Sequence, residues 1–102
     1  MSMLNLVNKS PFERNCLESC LRLAKSGAAV LLIEDAVYAA LENTEKSDLI
    51  KGRTEDLDFY VLGTDLDARG LTELTMIDGV RRLDYSGFVD LVEEHDAVHS
   101  WL

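Results

Sequence analysis

Cys16 and Cys20 are the chain's only thiols, and they stand four residues apart. On a helix that spacing puts both on one face, shared with Phe12, Leu23 and Ala24. One reading is packing, since a reduced cysteine behaves as a small hydrophobe. The other is sulfur transfer by Cys20. A thiolate attacks a donor, holds the terminal sulfur as a persulfide and passes it to another thiol. A carrier needs access and positive potential. Arg14, Arg22 and Lys25 lie on the same segment, although mid-helix positions gain little from the helix dipole. The pair is not Cys-x-x-Cys, and a disulfide within one helical turn has poor geometry.

Other constellations are weaker. His95 and His99 are also four apart. With the cysteines they would supply zinc-type ligands, but the two pairs are distant in sequence and no knuckle turn accompanies them, so no metal is expected. Glu34-Asp35 closes an apolar run. Paired acids there suit acid–base work or a cation; the simpler reading makes Asp35 a helix cap. Asn8-Lys9-Ser10 at a helix start suits anions, but no glycine-rich loop follows and no cofactor is expected. Asp65-Leu66-Asp67-Ala68-Arg69-Gly70 lacks calcium-loop spacing and reads as a short capped helix. Arg69 reads as an ion-pair or interface residue, and Trp101 as a core plug or interface anchor.

The elements that position these residues alternate. Strands are expected over 3–8, 28–33, 57–62, 79–83 and 97–101, the last of which also reads as the tail of the preceding helix. The run Ala28–Ile33 is continuously apolar, as in a strand covered on both faces. Arg81 and Arg82 place the fourth strand nearer an edge or a mouth. Ser10, Pro11 and Glu13 form the start signals of a first helix that runs to about Lys25, and Gly27 ends it. Asp35 to about Glu42 forms a second, alanine-rich helix. Thr64 or Asp65 caps a third, stopped by Gly70. Asp84 or Ser86 starts a last helix with Phe88, Val89, Leu91 and Val92 on its apolar face. Residues 43–56 form a charged connector. Alternating strands and helices imply an α/β fold: a three-layer arrangement around a mostly parallel five-stranded sheet with right-handed crossovers. Glu34-Asp35 then falls at the carboxyl edge, where sites of such sheets form.

Composition narrows the function. At 102 residues one domain, 1–102, is expected. Hydrophobic residues make up 47%, enough for a core without metal or disulfide. Ten basic against nineteen acidic residues give a net charge of −9. Such a chain suits neither nucleic-acid phosphates nor anionic membranes. Proteins or small molecules are its expected partners. No leader and no transmembrane-length run is read, which points to the cytoplasm and reduced cysteines.

Several segments, taken in order, resemble the DsrH/TusB family. They are Asn8-Lys9-Ser10-Pro11, Leu21-Arg22-Leu23, Val30 through Ala40, Asp65 through Leu71, Asp84 through Val89, and Ser100-Trp101. The resemblance spans nearly the whole chain. It implies a DsrE-like fold, a small relative of the flavodoxin-type sheet. It also implies a subunit of a heterohexamer with DsrE/TusD-type and DsrF/TusC-type sisters, two copies of each, exchanging persulfide sulfur with a DsrC/TusE-type carrier. In the Tus branch sulfur ends on the wobble uridine of tRNA; the Dsr branch serves dissimilatory sulfur oxidation. The main sulfur-accepting cysteine of such complexes follows a middle strand of the DsrE/TusD-type subunit. Gly63-Thr64-Asp65 stand there in this chain, so the resemblance makes it not the principal carrier. Cys20 matches a first-helix cysteine of DsrH-type members, which makes it an auxiliary persulfide candidate and favours sulfur oxidation, with tRNA thiolation or a purely structural subunit as alternatives. A free-standing ligand-binding flavodoxin-like module is a distant one.

Overall fold

The structure, a computed structural model, describes residues 3–10, 16–44, 46–71 and 73–101. The helix start read at Pro11 and Glu13, together with Phe12 and Arg14, lies outside the described residues.

Five strands form one sheet: β1 (Met3–Val7), β2 (Ala29–Leu32), β3 (Asp58–Leu62), β4 (Val80–Leu83) and β5 (Ala97–Trp101). The order is β4-β3-β2-β1-β5, and every neighbouring pair is parallel. All five expected strands are present to within a residue or two. The central β2 is buried at all four positions, which explains its unbroken apolar sequence. β4 and β5 are the edges.

The helices are α1 (Cys16–Leu23), a 3-10 helix (Glu34–Ala40), α2 (Ser47–Lys51), α3 (Gly63–Ala68) and α4 (Tyr85–Glu94). The first three strand-to-strand steps move one way across the sheet, and the last returns to β1. Right-handed crossovers therefore put α4 alone on one face. The core divides accordingly. Val7, Val30, Leu32, Phe59 and Val61 pack with Leu17, Cys20, Ala36, Ile50 and Leu66. The alternate strand residues Leu4, Ala29 and Leu31 pack with Leu91, flanked by Phe88 and Val92. This is the period-two alternation of a sheet covered on both sides, and the three-layer DsrE-like α/β fold.

Three local expectations are corrected. The second helix is 3-10, not α. Its buried residues Ala36, Val37, Ala39 and Ala40 fall in two rows of spacing three. That is the 3-10 repeat, and small side chains relieve its eclipsed stacking. The connector 43–56 is not plain: it contains α2, whose Ile50 is fully buried and whose Ser47 donates to Leu41 O at 2.9 Å. Neither Thr64 nor Asp65 caps α3, which follows β3 directly from Leu62 without a side-chain cap.

Other signals act as read. The Asp84 carboxylate accepts the Gly87 N–H at 2.7 Å and caps α4. Gly70 ends α3 at φ +68. There Leu71 N–H reaches Leu66 O and Gly70 N–H reaches Asp67 O, a paired closure that needs a left-handed residue.

Phe59→Ala empties the largest fully buried side chain, and a loss of about 3–5 kcal/mol is expected in urea unfolding. Asp84→Ala removes only the cap and is expected to cost about 1 kcal/mol. Equal losses would show that the core is not packed as described.

Candidate functional site

The chemistry-bearing residues fall in three places. The first is the inner face of α1. Leu17, Cys20 and Leu21 point to the sheet, at the i, i+3, i+4 spacing of one helical stripe. Cys20 is 0% exposed. Burial pushes its thiol from an ordinary 9.0 up to about 12, and the Arg53 guanidinium pulls back only part of that rise. Cys20 is therefore a neutral, enclosed thiol in this structure, not the accessible thiolate a carrier requires. Cys16, half-buried, packs at the margin of the same core.

Arg53 is the residue that sequence reading missed. Its guanidinium donates to Leu21 O, to Ala24 O at 3.0 Å and to both oxygens of Asp56. It thus closes the carbonyl end of α1, whose last carbonyls have no partner within the helix. The Arg53 hydrogen bond holds the Asp56 carboxyl below its usual range. The signal available was an Arg–Asp pair three residues apart inside a charged run.

The second place is the carboxyl edge of the sheet. Glu34 enters the 3-10 helix at φ +50, a left-handed conformation uncommon for a residue with a side chain. Its N–H is held by the Asp65 carboxylate at 2.7 Å. Arg69 donates to Asp35 through Nε at 3.1 Å and Nη2 at 3.0 Å, and to Asp65 O at 3.2 Å. Asp35 is thus an ion-pair residue, not the side-chain cap expected of it. Arg82 pairs with Asp67 at 2.7 Å. Asp35, Asp65 and Asp67 each have a structural partner, whereas at Glu34 it is the main-chain N–H that is held.

The third place is a groove of about 550 Å³ beside β5, lined among others by Met3, Asn5, Leu23, Lys25, His99 and Trp101. Its floor is ordered. Asn5, 2% exposed, donates to Ala29 O at 3.2 Å and accepts the Trp101 indole N–H at 3.1 Å. The His99 ring lies 4.5 Å from Trp101, centroid to centroid. Trp101 is half core plug and half groove wall. His95 turns to Leu91 O at 2.7 Å instead. The two histidines and two cysteines do not converge, and among the described residues no three potential metal ligands are grouped. Among them also, no helix is long and apolar enough to cross a membrane.

The model of a family described as DsrH-like protein matches residues 9–98. The chain belongs to the DsrH-like family. Protein TusB of Pectobacterium parmentieri is 36% identical over 100 residues, covering 97% of this chain and 100% of that protein. Protein TusB of Yersinia enterocolitica is 35% identical over 99 residues, with the same coverage. The crystal structure of the ychN protein from E. coli shares the fold, with a TM-score of 0.88 at 23% identity over 98% of each chain. Membership of the DsrH-like family supports a sulfur-relay subunit. The names of these relatives fall on the TusB side of the two branches, against the sulfur-oxidation branch that Cys20 suggested.

Cys20 is expected to resist iodoacetamide below pH 9 in the native protein and to react once unfolded. Its folded pKa is raised, so its contribution to stability is complete below 9.0 and is lost as pH rises towards about 12. Cys20→Ala should flatten that alkaline loss relative to the parent chain in urea melts at stepped pH. Rapid native alkylation of Cys20, or identical alkaline profiles, would contradict the enclosed thiol.

Proposed function

We propose that this chain is a TusB-type subunit of a cytoplasmic sulfur-relay complex that supplies sulfur for 2-thiolation of the tRNA wobble uridine. Full-length identity of 36% to a protein named TusB carries this reading. Its sisters are DsrE/TusD-type and DsrF/TusC-type subunits in a heterohexamer. Sulfur passes to or from a DsrC/TusE-type carrier. The whole chain, 1–102, acts as one DsrE-like domain.

Within the complex this subunit docks and positions; it does not hold the sulfur. Two observations support that division. The position after β3 is Gly63, not cysteine. Cys20 is buried and held neutral, so packing accounts for its presence without a pathway. The branch inferred from Cys20, sulfur oxidation, is less well supported than tRNA thiolation, because the relatives of about 36% identity are named TusB. The net charge of −9 fits a protein-facing role and leaves contact with tRNA to other components.

Deletion of this chain in its host is expected to abolish 2-thiouridine in digested tRNA, read by liquid chromatography and mass spectrometry. Both the parent chain and Cys20→Ala should restore it. Unchanged 2-thiouridine with a defect in sulfur oxidation would restore the other branch. Rescue by the parent but not by Cys20→Ala, with sulfane sulfur mapping to Cys20, would make it an auxiliary carrier.

A further inference from the structure

The two edges of the sheet are built differently. β4 presents Arg81 and Arg82, both exposed. Charged side chains on an edge strand oppose pairing with another chain. β5 carries no charged residue, and all five of its residues keep some exposure. Its inner side pairs with β1. Among the described residues no other backbone hydrogen bond reaches its outer side.

Apolar surface flanks this bare edge on both faces. On one lies the groove, with Leu23 65% and Met3 40% exposed. On the other, Val98 is 45% exposed. A strand added to β5 would send alternate side chains into the groove and over Val98. Half-exposed Trp101 is the residue type that anchors such contacts.

Charge selects the occupant. The chain enters β5 through Glu93-Glu94-His95-Asp96, with Asp90 one turn earlier on α4. A second copy, itself at −9, would be repelled by the first. A segment with Lys or Arg at the end beside residues 93–96 is attracted. We propose that the outer edge of β5 takes up an extended segment of a partner protein, apolar at alternate positions and basic at that end. The inference rests on the subunit reading above, which makes the sister subunits the source of the segment.

The test is co-expression of the full chain with the DsrE/TusD-type and DsrF/TusC-type subunits of its host. Native mass spectrometry reads assembly, and hydrogen exchange reads the amides of residues 97–101. Slowed exchange in the complex is expected, as is weaker assembly in high salt. The Val98→Lys/His99→Lys double variant, folded by circular dichroism, should assemble roughly tenfold or more weakly. Leu74→Lys, at an exposed residue outside β5, should assemble normally. Normal assembly of the double variant, or unprotected β5 amides, overturns the edge proposal and leaves the subunit reading standing. Assembly indifferent to salt overturns the basic occupant. A dimer of the chain alone with protected β5 amides overturns it in favour of a second copy. Failure of the parent chain to assemble overturns the subunit reading, and this occupant with it.

Discussion

One guanidinium holds the α1 side of the molecule together. Arg53 collects the two carbonyls at the end of α1 and the Asp56 carboxylate. Asp56 in turn accepts the Ser26 hydroxyl at 3.2 Å, and its main-chain oxygen accepts Gly27 N–H at 2.7 Å. The end of α1, the turn into β2 and the entry to β3 therefore meet at one point. A planar fork with five donors can serve three acceptors at once; a lysine cannot match that geometry. The inward stripe of α1, Cys20 included, is set by where this end is fixed. Among the described residues, Arg53 is the cation that lowers the Cys20 pKa. That attraction loses to desolvation, because the thiol lies within the core and the guanidinium at its margin.

The repeating part of the fold was legible because its signals are local. Strand alternation, the apolar run of β2, Asp84 before α4 and Gly70 after α3 each follow from a few adjacent residues. What was not legible depends on contacts distant in sequence. Asp65 looks like a helix cap until Glu34, thirty-one residues earlier, is brought beside it. Asn5 reads as an ordinary strand residue, yet it joins Ala29 to Trp101 across β1. Ile50 lies in a run whose charge hides it, and only the packed core shows that α2 is needed to cover that end of the sheet. Of the candidate site, the residue types at the carboxyl edge were readable, but their pairing was not. Cys20 shows the limit most clearly: spacing assigns a helix face, not whether that face meets the sheet or solvent.

Sheet position also explains the different fates of similar residues. Arg81 and Arg82 are adjacent, yet they face opposite sides. Arg81 lies 5.9 Å over the Tyr60 ring, and Arg82 turns to Asp67. Both are tolerated because β4 is an edge and their charged ends reach water. β5, at the other edge, carries a hydrogen-bonded tryptophan and no charge. Opposite protection at the two edges implies different neighbours, and in a subunit that is a statement about assembly.

The position after β3 makes the same point through packing. A side-chain carbon at Gly63 would stand 2.7 Å from the Arg82 Nε and 3.0 Å from its Cζ. The guanidinium lies over that glycine and reaches Asp67 near the end of α3. A side chain at Gly63 would require the end of the Arg82 side chain to shift. The ion pair that links α3 to the edge strand therefore lies directly over this position. A chain arranged in this way commits the end of β3 to contacts of its own fold: the guanidinium of the edge strand lies over Gly63 and reaches the acid of the helix that follows it.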